Sequence, residues 1–473
     1  MSPAYKAWLD EDVRWIITDE ERQAFKLLSS DQERDQFIEA FWQRKDPTPD
    51  TMENEYKEEH YRRIVFANEQ FASFTPGWRT DRGRFYIMYG PPDEIESHTS
   101  GGTYAPPTSK FPSARSSAGG QLISDLPYEL WHYRFIEGLG ADVVLPLADI
   151  CRCGDYHFAK GAKSRYVGVG GPVSPSNLGQ PRIKFKDLEE IVVHKVDLRL
   201  VPFTVRTDFI KATDFTVMAP VTLRVRKGNI TLTNTSGVER GTLNIFGRVT
   251  TLAGWVVDTF EDTVQVEVPA NLLSTLTSEA SFYQKVLFLR PGQYWIDIAV
   301  GDGNAGRIGT SRLSISVPEF KQGKMATSSL ILADKVGPVS QENAPGAGHF
   351  LVGTTYVHPV VSSMRGKPVT FSRNQNINVW MQVYDLAVNE ETNKSSADIE
   401  YEVVDDTNGK PTIHMVDSAD RTGDQITLNR TISATSLRPG AYTFRVKVRD
   451  NISRQVSEQS TTFTIVNVLP ASY

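Results

Sequence analysis

Apolar residues recur along this chain at two different periods, and the change of period divides it. Over the first 75 residues they fall at helical spacing: Phe37, Ile38, Phe41 and Trp42 make one stripe, preceded by Ser30-Asp31-Gln32-Glu33 and followed by Pro47 and Pro49. Ser30 with Glu33, like Thr18 with Glu21, fits a capping box, in which hydroxyl and carboxylate satisfy free amides of the first turn. The prolines end the helix because a residue that precedes proline is pushed out of helical geometry. A third helix is expected over about 52–71, burying Tyr56, Ile64, Val65 and Phe71. Helices this short cannot bury such stripes alone and must pack on one another and on the segments C-terminal to them.

Past Pro76-Gly77 the texture changes. Residues 84–89 read as a strand, closed by the turn Gly90-Pro91-Pro92. Residues 128–136 and 143–147 read as two more strands, joined by a hairpin connection over 137–142. Residues 97–121 and 160–182 are rich in Ser, Gly and Pro and hold no hydrophobic period, so the first is expected as a long surface loop and the second as a linker.

From Ile191 onward the pattern is all β, with strand-like runs at 191–193, 217–225, 243–251, 255–257 and 264–268. A phrase then occurs twice. Leu289-Arg290-Pro291-Gly292-Gln293-Tyr294 and Leu437-Arg438-Pro439-Gly440-Ala441-Tyr442 lie 148 residues apart, and each begins a penultimate strand. Pro-Gly turns the chain, and the tyrosine two residues later can cap the corner with its hydroxyl, as in Greek-key sandwiches. Further strands are expected at 350–355, 379–384 and 399–404. The expected fold class is multidomain, α+β and then all-β. A head over 1–160 holds helices (1–75) and a small antiparallel sheet (84–159). A linker at 161–185 leads to two immunoglobulin-like β-sandwiches at 186–320 and 325–473.

Composition narrows the function classes. The chain has 473 residues, 40% apolar and 23% charged, with a net charge of −6. That length suggests roughly three domains at about 150 residues each. The mild acidity argues against a nucleic-acid partner, which needs a basic stripe. Residues 1–75 hold 17 Asp and Glu against 10 Lys and Arg, a net of −7, which leaves the remainder at about +1. The acidic head is a set of solvated helix faces or a docking surface for a basic partner. No run approaches 18 apolar residues, so no transmembrane helix is expected. The start as written carries no signal peptide, which a mature or shortened form would also show.

Pro76-Gly77-Trp78-Arg79-Thr80-Asp81-Arg82-Gly83-Arg84 resembles the GWxTD-domain family of bacterial proteins. The likeness takes in the lead-in from Phe41 to Pro49, Glu58 to Ile64, Phe85 to Ile95, and the strand Trp131-His132-Tyr133-Arg134, about 1–160 in all. The resemblance implies a domain rather than a mechanism. It also implies an export signal in similar proteins, hence a periplasmic or cell-envelope location. Structurally, Gly77 permits a bend, Trp78 offers a buried anchor, and Thr80-Asp81 can bond local amides. The functional alternative has Asp81, Arg84 and Asp93 bracketing a ligand cleft beside the loop 97–121, with Trp78, Thr80 and Trp131 as further candidate contacts.

Other chemistry is sparse. Cys151-Arg152-Cys153 with Asp155 and His157 has metal-ligand residue types, but no standard finger has this spacing. Two cysteines make no disulfide framework, and Cys-x-Cys closes only with strain, so they leave the compartment open. No nucleophile elbow, P-loop or His-Glu-x-x-His occurs, and Gly301 to Gly306 reads as a hairpin loop. Tyr104, Tyr356 and Trp380 are candidates for a sugar platform, against the alternative that they are core. No cofactor or metal is expected. The expected function is non-enzymatic: an exported interaction or scaffold protein whose partner is a protein or a cell-envelope component. The alternatives are an enzyme on polysaccharide or peptide, with its site at the GWxTD strand and loop 97–121, and a carbohydrate-binding last domain.

Overall fold

The computed structural model describes residues 1–99, 126–137, 139–158, 183–270, 273, 279–321, 323–339 and 350–467. Most of loop 97–121, Tyr104 and most of the linker 161–185 lie outside the described residues. The chain opens with α1 (Pro3–Ala7) and a π-helical turn over Trp8–Asp12, followed by α2 (Asp19–Leu27), α3 (Asp31–Lys45) and α4 (Glu55–Phe71). Both capping boxes form: Thr18 and Ser30 each accept the amide three residues on, and Glu21 and Glu33 reach back. Asn54 caps α4, so this helix starts later than its apolar pattern suggests. Trp8, Phe25, Phe37 and Phe41 meet mainly edge-on at the centre of the head. Tyr56, expected inside, is exposed: its ring lies parallel to that of His60, and His60 takes the buried place one helical turn later.

Residues 84–89 are not a strand. They belong to α5 (Asp81–Tyr89), and the reason is local. Thr80 caps the helix by accepting the Gly83 amide, and Gly90, in a left-handed conformation with φ 83°, ends it by donating to the Tyr86 carbonyl. The aromatics then serve helical neighbours, Phe85 beside Tyr89 and Tyr86 against Phe66 of α4. The head sheet is antiparallel, in the order β1 (Glu94–His98), β2 (Tyr128–Ile136), β3 (Gly140–Asp149), β4 (Tyr156–Phe158).

A second correction falls at 191–193, which end α6 (Lys186–Val193) rather than forming a strand. Leu188 and Val192, four residues apart, bury one face of α6 on Phe246 and Ala299. Two sheets come next. One contains β5 (Phe203–Thr207), β6 (Ile210–Lys211), β7 (Val217–Arg226) and, after the next strands in sequence, β11 (Ala280–Leu289). The other runs β10 (Val256–Pro269), β9 (Val238–Thr251), β12 (Gly292–Asp302), β13 (Arg307–Val317), with β8 (Thr233–Thr235) on β9. The runs expected at 255–257 and 264–268 are thus parts of one long strand. The two sheets share a core: Val221 and Leu223 of one meet Ile245 and Ile296 of the other.

The last third repeats the plan. One sheet has the order β14 (Ala326–Thr327), β19 (Asn376–Tyr384), β15 (Ile331–Pro338), β17 (Thr355–Pro359), β16 (Phe350–Val352), with β23 (Ile426–Ser433) on β19. The other is β18 (Val369–Ser372), β25 (Val456–Val466), β24 (Gly440–Asp450), β21 (Lys394–Asp405), β20 (Val388–Asn389), with β22 (Lys410–Thr422) on β21. Pairing is antiparallel apart from β18 with β25. Both repeated tyrosines close their corners: Tyr294 donates to the Arg290 carbonyl at 3.0 Å and Tyr442 to the Arg438 carbonyl at 2.9 Å. The chain is therefore a helical N-terminal region followed by several largely antiparallel sheets. Among the described residues, no helix is long and apolar enough to cross a membrane.

The head does not stand apart from these sheets. Its core runs without a break into Phe215, Met218 and Phe288 of one β unit, and into Ile331, Val357 and Trp380 of the other. Polar contacts reinforce the joint. The carboxylate of Asp12, only 1% exposed, accepts from Thr213 at 2.6 Å, Thr216 at 2.6 Å and Tyr61 at 2.8 Å. Charge is matched as well. Lys285 lies between Glu53 and Glu58, and Arg290 pairs with Asp35, so part of the head's acidity is answered by the chain's own cations.

Candidate functional site

The motif residues Gly77 to Gly83 form a tight knot on α4. A Cβ on Gly77 would stand 1.8 Å from the Ala67 carbonyl oxygen, so only glycine lets this turn reach the helix. Gly83 meets Gly77 in the same way, its Cβ position 1.9 Å from the Gly77 oxygen. The Trp78 amide donates to Asn68 Oδ1, whose own amide group donates to the Ala212 carbonyl in the β body. The Trp78 ring is buried under the Arg79 guanidinium, and its carbonyl accepts from Trp15. Thr80 bonds the Gly77 carbonyl and the Gly83 amide. Asp81 accepts the Phe158 amide at 2.9 Å, tying α5 to β4, and pairs with Arg84 at 3.5 Å.

Asp93 is not beside them. It lies past the far end of α5, a helix about 12 Å long at 1.5 Å per residue, and is held by Arg134 at 2.6 Å. The amide and guanidinium of Arg134 keep its carboxyl below the usual range. Trp131 is fully buried against Phe71 and donates to Glu129. The six candidates therefore do not converge on one cleft. Trp380 and Tyr356 are buried too, and so offer no sugar platform.

Cys151 and Cys153 are joined as a disulfide in the turn after β3, where Asp149 accepts the amides of Cys153 and Gly154. With both sulfurs bonded to each other, neither is a free thiolate that could serve as a ligand. His157 instead sits 3.0 Å from Asp155 and 3.8 Å from Asp81. Ser73 donates to the other oxygen of Asp155 at 2.8 Å. The carboxylate stands between serine and imidazole, whereas activation of a serine needs the imidazole in the middle.

A cleft of about 390 Å³ does open on the other face of the knot, where the head and both β units meet. Its walls bring together Glu11 from the π-helical turn, Arg79 from the motif, Lys211 of β6 with the nearby Asp214, and Asp385 and Asp424 from the last third. Lys211 bridges Asp214 at 2.7 Å and Asp385 at 2.6 Å. Burial pulls its ammonium downward, but the two carboxylates outweigh this and hold it above its usual value. Glu11 is pushed up to about 7 by burial, aided by the charges of Asp214 and Asp12 and opposed by Arg79. Burial and then Asp385 likewise raise Asp424. Such a site can hold a charged group, and a carboxyl raised toward neutrality beside a bridged lysine occurs in functional clefts and in structural ion-pair networks alike. The single motif residue with a charge in it is Arg79, the variable position of the motif. Sequence reasoning had no signal for the rest, because Glu11 and Asp424 come from opposite ends of the chain.

Residues 3–109 match the family model of the GWxTD domain. No curated protein matches the chain at a significant level. Among solved structures, a red sea bream transglutaminase aligns over 71% of this chain and 41% of its own at 8% identity, with a TM-score of 0.16. A β-glucosidase from Listeria innocua aligns over 28% of this chain and 21% of its own at 12% identity, also with a TM-score of 0.16. The chain thus spans less than half the length of either, and neither superposition bears on activity.

Proposed function

We propose that this chain, which carries a GWxTD domain at its head, is a non-enzymatic, exported interaction or scaffold protein of the cell envelope. The observation that carries the reading is the use of the motif: its glycines, tryptophan, threonine and aspartate are spent on joining helices, strands and β body. The two β units are read as immunoglobulin-like sandwiches, on the strength of the paired sheets with shared cores and the two closed tyrosine corners. In this reading the head sets the angle between them and presents one composite surface. The bonded cysteine pair favours an oxidising compartment. An apolar hairpin tip, with Leu252 at 55% and Trp255 at 75% exposure, is the kind of anchor that interfaces use.

The test places a photo-cross-linking amino acid at Trp255, and separately at Phe74 on the rim of the cleft, in intact cells. A discrete envelope adduct that depends on position supports the reading; no adduct above an unirradiated control at either place overturns it. The enzymatic alternative keeps one observation in its favour, the Glu11 carboxyl poised near neutrality in a cleft. Turnover of a peptide or polysaccharide panel by the wild type, abolished in Glu11→Gln, would establish that alternative instead.

A further inference from the structure

A second cleft, of about 710 Å³, lies away from the motif, between α6, the outer face of β12 and β13, and the loop that carries Arg365. Its wall is a strap, residues 194–202, that is held firmly in place. The Leu198 amide donates to Thr310 Oγ1, the Thr310 amide donates to the Leu198 carbonyl, and Thr310 Oγ1 donates to the Val196 carbonyl. The Leu200 amide donates to the Ile308 carbonyl. Gly309 lets the strap come close, since a Cβ there would meet the Val201 oxygen at 1.9 Å. The cleft is therefore preformed, as small-molecule sites usually are.

Its lining has two chemistries. Val196, Leu198 and Phe203 give an apolar wall. The charged groups are Lys195, Arg199, Arg312 and Arg365 against Asp197 and Asp297, a surplus of two positive charges. Arg199 pairs with Asp197 at 2.8 Å, and Arg312 with Asp297 at 3.4 Å while lying over the Trp295 ring. The surplus falls on Lys195 and Arg365. Arg365 donates to the Arg312 carbonyl, and among the described residues neither cation has a carboxylate within 4 Å, although the charge of Lys195 is felt by Asp297. Two cations outside any close ion pair, beside an apolar wall, match an anionic head joined to an apolar body.

We propose that this cleft binds an amphipathic organic anion, its head group held by Lys195 and Arg365 and its apolar portion lying against Val196, Leu198 and Phe203. The proposal is independent of the scaffold reading. Octanoate, acetate and 1-octanol separate its elements in titration calorimetry of the full chain at low salt. Octanoate is expected to saturate a single site, with acetate and 1-octanol each at least about tenfold weaker, the size of one charge-assisted hydrogen bond. Arg365→Glu and Lys195→Glu, both at exposed positions, should each weaken octanoate by about tenfold or more. An unchanged unfolding midpoint shows that each variant is folded; should one of them shift it, the other decides. Equal binding of acetate reduces the site to a simple ion contact, and equal binding of 1-octanol to a greasy surface. Either result, an absence of saturable octanoate binding, or indifference to both charge reversals overturns the proposal.

Discussion

Asp12 is a buried carboxylate whose cost can be measured. Its oxygens accept from Thr213, Thr216 and Tyr61, and His60 lies 2.6 Å from its carbonyl, so it holds the head to the β body. Burial pushes its pKa up to about 6; the three hydroxyls and Arg290 pull the other way and do not win. The folded value thus exceeds the ordinary carboxylate value of about 3.9. A raised carboxylate stabilises the fold fully below its unfolded pKa, and that contribution is lost as pH rises through the folded one. A shift of roughly two pH units at about 1.4 kcal/mol each makes the loss about 3 kcal/mol. Asp12→Asn keeps the shape without the titration. Urea unfolding followed by tryptophan fluorescence, at steps from pH 3.5 to pH 7.5, should therefore show the variant gaining on the wild type by about 3 kcal/mol. Most of the gain should fall between pH 4 and pH 6, where the wild type must ionise the buried group. Carboxylates that titrate alike in both proteins cancel. Glu11, raised partly by Asp12, is relieved in the variant and adds in the same direction above pH 6. A difference that stays flat over this range, or that falls, would refute the account of Asp12 as an ionisable group desolvated at the joint.

Gly77→Ala drives a methyl into the Ala67 carbonyl and should lower stability by about 3 kcal/mol or more in thermal unfolding; a tolerated alanine would mean that the close approach is not real. Tyr294→Phe and Tyr442→Phe should each cost about 1 kcal/mol, the net worth of one corner bond, and should add in the double variant because they lie in separate units. Lys285→Met leaves Glu53 and Glu58 facing each other, at a cost of about 3 kcal/mol at pH 7. Burial raises the Glu53 carboxyl, so this penalty should shrink as pH falls through its pKa, which unfolding at pH 4.5 would check.

What could be read along the chain was what short segments decide for themselves. The capping boxes at Thr18 and Ser30 need only residues three apart, and both form. The Leu-Arg-Pro-Gly-x-Tyr corners need only four, and both tyrosines bond as their spacing implies. Short apolar runs were misleading. Residues 84–89 and 191–193 carry β-favouring side chains, yet both became helical. Thr80 caps the first, and a four-residue apolar spacing seats the second on the sheet. Runs of this length satisfy either period, and their neighbours decide.

The sites were beyond sequence reasoning for a different reason. The cleft beside the motif needs Glu11, Lys211, Asp385 and Asp424 in one place, and the second needs Lys195 and Arg365. No local preference links residues so far apart in the chain. The burial of Trp380 and the poise of Glu11 arise only once the head has closed on both β units. By itself, the sequence determined the caps, the corners and the domain that the motif marks, because those are set by bonds between near neighbours. The tertiary structure alone decided which faces meet, and with them which carboxylates lose their water and which cations stay out of close ion pairs.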